Sequence, residues 1–398
     1  MSSERILFVS PFYAPEVIST GRYNSALVEA LAKNGAQVQV LTGYPTYPDW
    51  KPTYCSDEDA SNGVEVIRGG LWLWYPRSSL LRRAVLEVWF CIHVALHLAV
   101  KRRDLNRIVC VLPPSLFVFV LGWLAPRDAK LIGIVHDLQG VLSPGGSHLS
   151  RVIRNLVQKI EEKSFARFSR LIFLSESMRE HAIKKYGIKR EGSVVCYPFV
   201  TSSVASLSEQ PIEGMQPGAF NVVYAGALGN KQNPKQLYQF MDSLSENIPS
   251  VMCHIFSGGP EFESLRLVAE KRKNPRLKLH GLVPDEQLPV LYSCSDIQII
   301  PQAHGTEHGS LPSKFPNLVA AGCFVLAICD DSSELSQLVR RFSCGHVCTS
   351  WELVDLLRHA GVAIEAASKI SRVDRVHQSR NWIEKSFSCA KLVEAVLS

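Results

Sequence analysis

The feature that most constrains this chain is an alternation that runs through it twice. Short apolar runs, each about one strand long, are separated by segments whose apolar residues recur at three and four positions, the period of a helix packed on one side. In the first half the runs are Ile6–Ser10, Val38–Leu41, Arg107–Leu112, Leu131–Val135, 170–174 and 193–197. Tyr23, Ala26, Leu27, Ala30 and Leu31 form a helical stripe that Ser19 or Thr20 can cap and Gly35 can end. Further helices are expected at 115–125, 150–168 and 176–186. The second half repeats the pattern with strands at Val222–Ala225, Cys253–Phe256, Leu277–His280, Ile297–Ile300 and Phe324–Ile328. Helices are expected between them at 234–245, 261–272, 285–294, 312–321 and 332–342. Two such halves predict two doubly wound, Rossmann-like α/β domains. Ligands of these domains bind beyond the carboxyl ends of the strands, so two of them face to face make a cleft.

The segment Thr201–Gly218 is rich in Ser, Pro and Gly and has no periodicity, which marks a linker. The expected organisation is an N-terminal acceptor-side domain at 1–200, the linker at 201–218 and a C-terminal donor-binding domain at 219–372. A helical tail at 373–398 is placed to pack back on the N-terminal domain. A length of 398 residues with 46% apolar and 20% charged residues supplies two cores and excludes disorder for the bulk of the chain. Eleven cysteines occur without any C-x-x-C, several inside apolar runs (Cys110, Cys253), which points away from disulfides and zinc fingers and towards a reducing compartment. The start, MSSERILFVS, lacks the basic and long apolar regions of a signal peptide.

Charge is unevenly shared: residues 1–200 carry 25 Lys+Arg against 17 Asp+Glu, and residues 201–398 carry 18 against 20. A basic first half and a near-neutral second half point to different partners. Within the first half, Ala84–Val100 is apolar and flanked by Arg82-Arg83 and Lys101-Arg102-Arg103. It falls short of the ~20 residues of a span and contains Glu87, His93 and His97. A buried helix is the expectation, a helix at a bilayer interface the alternative, and a transmembrane span is disfavoured. His93 and His97 share a helix face without a third ligand nearby, so no metal is expected.

No G-x-G-x-x-G follows a strand and no G-x-x-x-x-G-K-[ST] is present, which disfavours a dehydrogenase or a P-loop nucleotidase. Four subtler anion signals remain, each of which an ordinary capped loop could also explain. Tyr224–Lys231 (YAGALGNK) follows a strand, with two glycines for close backbone approach and a compact cation. Gly305–Lys314 (GTEHGSLPSK) precedes a helix expected near Pro312, whose free N–H groups could hold a diphosphate while Glu307 meets a sugar hydroxyl. Ser19-Thr20-Gly21 opens the first helix, and His136-Asp137 ends a strand.

These pieces together resemble retaining glycosyltransferases of family 4, which have the GT-B fold. SPFYAPEVISTGRYNSALVEALAKNGAQVQVLTGYPTYPDW opens the match, and YAGALGNKQN, FSGGPE, HGLVPDEQLPVLYSCSDIQIIP and LPSKFPNLVAAGCFVLA follow in family order. The chain is similar to the subgroup that builds bacterial capsule, O-antigen and colanic-acid-type polysaccharides, including fucosyl- and N-acetylfucosaminyl-transferases. The resemblance implies a nucleotide diphosphate sugar donor, with UDP favoured, and a lipid-linked glycan acceptor on the anionic inner face of the plasma membrane. It implies no nucleic acid, no metal and no further cofactor. By position, Lys231 resembles the donor-diphosphate cation, and Gly226 lies in its loop. Gly309, Ser310 and Leu311 resemble the backbone cradle, Glu307 the first acid of E-x(7)-E, and Gly21 the phosphate-facing glycine. His136 resembles the donor-sugar contact, and Val283 the nucleobase contact. Glu307, His136 and Lys231 are the expected catalytic residues, and Glu16 and Asp137 the expected acceptor-side residues.

Two positions depart from the family pattern. Ala227 stands where many members have a basic residue. Asn317 stands where the related P-S-K-x-x-E pattern has a ribose-binding Glu. These departures motivate a non-catalytic nucleotide-sugar-binding subunit as one alternative; a nucleotide-sugar 2-epimerase of the same fold is another.

Overall fold

The computed structural model describes residues 4–16, 19–47, 49–56, 63–76, 78–100, 105–138, 148–201, 212, 214–215, 218–306 and 311–398. The chain divides into two compact units, Met1–Tyr197 with Ser388–Ser398, and Pro198–Phe387.

In chain order the first unit runs β1 (Arg5–Val9), α1 (Ser19–Lys33), β2 (Gln37–Gly43), β3 (Val64–Gly69), α2 (Ser79–Val100), β4 (Arg107–Leu112), α3 (Phe117–Leu124), β5 (Lys130–Val135), α4 (His148–Phe165), β6 (Arg170–Phe173), α5 (Glu176–Tyr186) and β7 (Ser193–Val195). Among the described residues these strands form one seven-stranded sheet in the order β3-β2-β1-β4-β5-β6-β7. All its pairings are parallel; Ile6 of β1 stands opposite both Val38 of β2 and Arg107 of β4. The apolar run RIVCVL therefore becomes a central strand, with all six residues buried. Strand β3 goes beyond the sequence reading. Its signal is the alternation Val64-Glu65-Val66, closed by Gly70 at a φ of 83°.

The second unit runs β8 (Phe220–Ala225), α6 (Pro234–Asn247), β9 (Val251–Phe256), α7 (Pro260–Arg272), β10 (Leu277–His280), α8 (Leu288–Ser293), β11 (Ile297–Pro301), α9 (Lys314–Ala320), β12 (Phe324–Ile328), α10 (Glu334–Arg341), β13 (Gly345–Cys348), α11 (Leu353–Lys369) and α12 (Arg372–Ser386). Its described strands form a six-stranded parallel sheet in the order β10-β9-β8-β11-β12-β13. On this sheet, Leu237, Phe240, Met241 and Leu244 of α6 and Leu356, Ala360, Ala363 and Ala367 of α11 close one core with Val222, Cys253, Ile299 and Leu326. Burying each large apolar side chain contributes roughly 1.5–3 kcal/mol. The alanines of α11 let its axis approach the strands.

The C-terminal segment is shared between the units, so only part of 373–398 returns to the N-terminal domain. Helix α12 stays with the second unit: Arg372 donates to the Tyr292 and Ala321 carbonyls, Arg375 donates to Gly322 O, and Trp382 stacks on Phe342. Helix α13 (Cys389–Leu397) belongs to the first unit. Arg107 donates to Val396 O and Arg170 to Ala395 O, placing cations at the negative end of α13.

Candidate active site

In each sheet the strand order reverses once, and at that point two neighbouring strands send their following segments to opposite sides. In the second unit this point lies between β8 and β11. After β8 the chain turns at Gly226, whose φ of 149° is one that a side-chain-bearing residue rarely adopts. The Gly226 N–H donates to Phe256 O at the end of β9, and the Tyr224 hydroxyl donates to Ala227 O. Gly229 N–H donates to the Gln232 side chain, closing a short turn that carries Lys231. The Lys231 side chain is exposed, while its carbonyl accepts from Ala303 N–H, 2.8 Å away in the segment after β11. The loops on both sides of the reversal are thus tied together directly beside a lysine.

Two residues to which the sequence assigns no role of their own complete this edge. Lys314 is half-buried, and its Nζ donates to Ala225 O at 3.2 Å and Ile299 O at 2.9 Å, joining the ends of β8 and β11. The ammonium also lies 4.4 Å from the centre of the Tyr224 ring. Burial pushes its pKa down to about 7. Asp330, after β12, accepts from His304 Nδ1 and from Gly305 N–H, and so fixes the segment leading out of β11. The available signal for both was position: each stands at the border of an apolar strand or helix on the carboxyl edge.

Val283 follows β10 on the same edge and is half-buried. Leu311 is buried with its side chain in the core. Glu307, Gly309 and Ser310 lie outside the described residues. Helix α9 begins at Lys314 rather than near Pro312. Asn317 is nearly fully buried in α9, where its Oδ1 accepts from Thr201 N–H at 2.8 Å and its Nδ2 lies 3.4 Å from Thr201 Oγ1. Its amide anchors the backbone that leads into the linker.

In the first unit the reversal lies between β1 and β4. Gly21, in the first turn of α1, packs so closely on the loop after β1 that an added Cβ would stand 2.7 Å from Glu16 O. Glu16 is buried; its Oε2 accepts from Thr46 N–H at 2.8 Å and Thr46 Oγ1 at 3.2 Å, tying the loops after β1 and β2. His136 and Asp137 leave the end of β5, with His136 N–H extending the ladder to Leu112 O. Burial pushes the His136 pKa down to about 4 although Asp137 pulls it up. The imidazole is therefore neutral at physiological pH, suited to hydrogen bonding rather than to delivering a proton from its cationic form. Gly21, Glu16, His136 and Asp137 all lie on the carboxyl edge of the first sheet.

Two doubly wound parallel-sheet domains in succession, each with such an edge, define the GT-B class of fold. Solved structures agree. Sucrose-phosphate synthase from Thermosynechococcus elongatus is similar with a TM-score of 0.72 at 17% identity, over 98% of this chain and 96% of its own. WaaG, a glycosyltransferase involved in lipopolysaccharide biosynthesis, is similar with a TM-score of 0.70 at 15% identity, over 98% and 99%. The family described as "Glycosyl transferase 4-like domain" matches residues 20–198, and "Glycosyl transferases group 1" matches residues 208–352. WcaI of Escherichia coli (strain K12), named for colanic acid biosynthesis as a glycosyl transferase, is 25% identical over 379 residues, covering 89% of this chain and 90% of that protein. The chain belongs to the family 4 glycosyltransferases.

Proposed function

We propose that this glycosyltransferase moves a sugar, with retention of its anomeric configuration, from a UDP-sugar to a lipid-linked glycan. It does so at the inner face of the plasma membrane, during synthesis of a bacterial surface polysaccharide of the capsule or O-antigen type. The observation that carries the reading is the reversal point of the second sheet, where Gly226, Lys231 and the segment after β11 are tied together. In this reading Lys231 meets the donor diphosphate, and Gly226 lets the backbone approach it. Gly309, Ser310 and Leu311 supply N–H groups, Glu307 meets the sugar, and Val283 lies against the base. Positive charge beside the departing diphosphate stabilises the transition state more than the ground state. His136 contacts the donor sugar as a neutral hydrogen-bonding group, and Glu16 and Asp137 serve the acceptor side. Asn317 meets the ribose through any bonding capacity left beyond Thr201. No metal or further cofactor takes part.

The test is sugar transfer from UDP-, GDP- and dTDP-sugars to lipid-linked acceptors, with the product linkage read by NMR. Transfer from a UDP-sugar that yields the donor's own anomeric configuration is expected. Nucleotide binding without transfer or donor hydrolysis would favour the non-catalytic subunit instead. Conversion of the free donor at C2 would favour the epimerase.

A further inference from the structure

Helix α2 is long and apolar enough to cross a membrane by length and composition, yet its inner face is committed to the first unit. Phe90, Val94 and Leu98 are fully buried, and Phe90 meets Phe117 edge-on at 5.3 Å. Trp89 Nε1 donates to the Tyr75 hydroxyl. The three polar residues of the segment also turn inward. Glu87 accepts from the Ser115 and Leu116 N–H groups that open α3, at 2.9 and 2.8 Å. His97 pairs with Gln39 at 2.9 Å, and His93 packs against Trp89 and Gly69. Crossing a bilayer would strip these bonds and leave polar groups in hydrocarbon.

With the polar residues turned inward, the outer face is purely apolar. The exposed positions of α2 from 84 to 100 are Ala84, Val88, Ile92, Leu96, Ala99 and Val100. Three exposed tryptophans stand on segments next to α2: Trp72 and Trp74 ahead of it in the chain, and Trp123 on α3, which packs against α2. They are 81%, 78% and 82% exposed. Tryptophan rings favour the headgroup level of a bilayer, where one end is apolar and the other wet. From Arg77 to Arg103 the sequence carries six Lys/Arg and a single acid, Glu87, which is turned inward. That charge attracts anionic lipid and repels a second copy of the same face.

We propose that the outer face of α2, with Trp72, Trp74 and Trp123, docks on an anionic phospholipid bilayer, with α2 lying in the plane of the headgroups. The proposal rests on the membrane reading above and names the surface that performs it. Because Ile92 and Leu96 are exposed, charges there leave the core intact.

The test is flotation of the full chain with vesicles of phosphatidylcholine alone and of phosphatidylcholine with phosphatidylglycerol. The parent is expected to float with the anionic vesicles, less so as salt is raised. Ile92→Glu/Leu96→Glu is expected to lower partitioning at least about tenfold, with its melting temperature and its thermal shift by UDP unchanged. Brominated lipids are expected to quench the parent's fluorescence, and Trp72→Phe/Trp74→Phe/Trp123→Phe to lose most of that quenching. Double-variant flotation equal to the parent's would overturn this surface while leaving membrane association standing. A parent that floats with neither vesicle would overturn both, while its UDP shift would still report on the transferase reading. A parent that is dimeric and does not float, with a monomeric double variant, would assign the face to a second copy and overturn the proposal.

Discussion

At Lys314 an ammonium is held between two strand ends, and the cost of burying it is legible in its proton affinity. Its pKa falls from a usual 10.5 to about 7, so between these values the unfolded chain binds more protons than the folded one. The sign follows: stability rises as pH climbs from about 7 towards 10.5, and the burial penalty is present in full below pH 7. Lys314→Met removes the donor to Ala225 O and Ile299 O, so it destabilises the fold, but it also flattens that rise. Urea midpoints across the range check both effects. Asn317→Ala deletes the acceptor for Thr201 N–H and is expected to cost ~1–3 kcal/mol by the same measurement, since a buried donor loses its partner. Gly226 and Lys231 were legible because they stand in one local word after a strand. Lys314 was not, because one of its bonded partners, Ala225, lies 89 residues away. The bond from Thr201 to Asn317 was not legible either, because sequence shows the residue type and conceals a partner 116 residues distant.

Elements with strong apolar periodicity were legible and weakly apolar ones were not. The strands of both sheet centres follow from their runs. Strand β13 has only four residues, GHVC, and α11 buries Leu356, Ala360, Ala363 and Ala367, a stripe whose small side chains give little contrast. Helix α2 posed a choice between buried and interfacial, and its two faces differ: Phe90, Val94 and Leu98 are buried, while Val88, Ile92 and Leu96 are exposed. Phe90→Ala opens a cavity in the core and is expected to cost ~3–5 kcal/mol, whereas Ile92→Ala on the outer face should stay within about 0.5 kcal/mol. Equal losses in denaturant unfolding would mean that both faces are buried. At the start of α1, Gly21→Ala drives a Cβ against the Glu16 carbonyl, and ~1–3 kcal/mol of overpacking is expected from the same assay.

Across the whole molecule, two histidines shielded from solvent contribute to a loss of stability in acid. His136 and His254 are pushed down to about 4, in both cases chiefly by burial; His280 and Lys278 add to the effect at His254. Unfolded imidazoles titrate near 6.5. Between these values the unfolded state binds more protons, so stability is highest above pH ~6.5 and falls as pH drops towards 4. His254→Asn should make that fall shallower in pH-dependent unfolding. If the second unit holds a nucleotide diphosphate sugar with Lys231 on its phosphates, calorimetric titration of UDP into the parent and Lys231→Ala shows it most directly. A charge-assisted phosphate contact contributes ~1.5–3 kcal/mol, so the variant is expected to bind at least about tenfold more weakly. Equal affinity in the two proteins, or no nucleotide bound by the parent, would contradict the account.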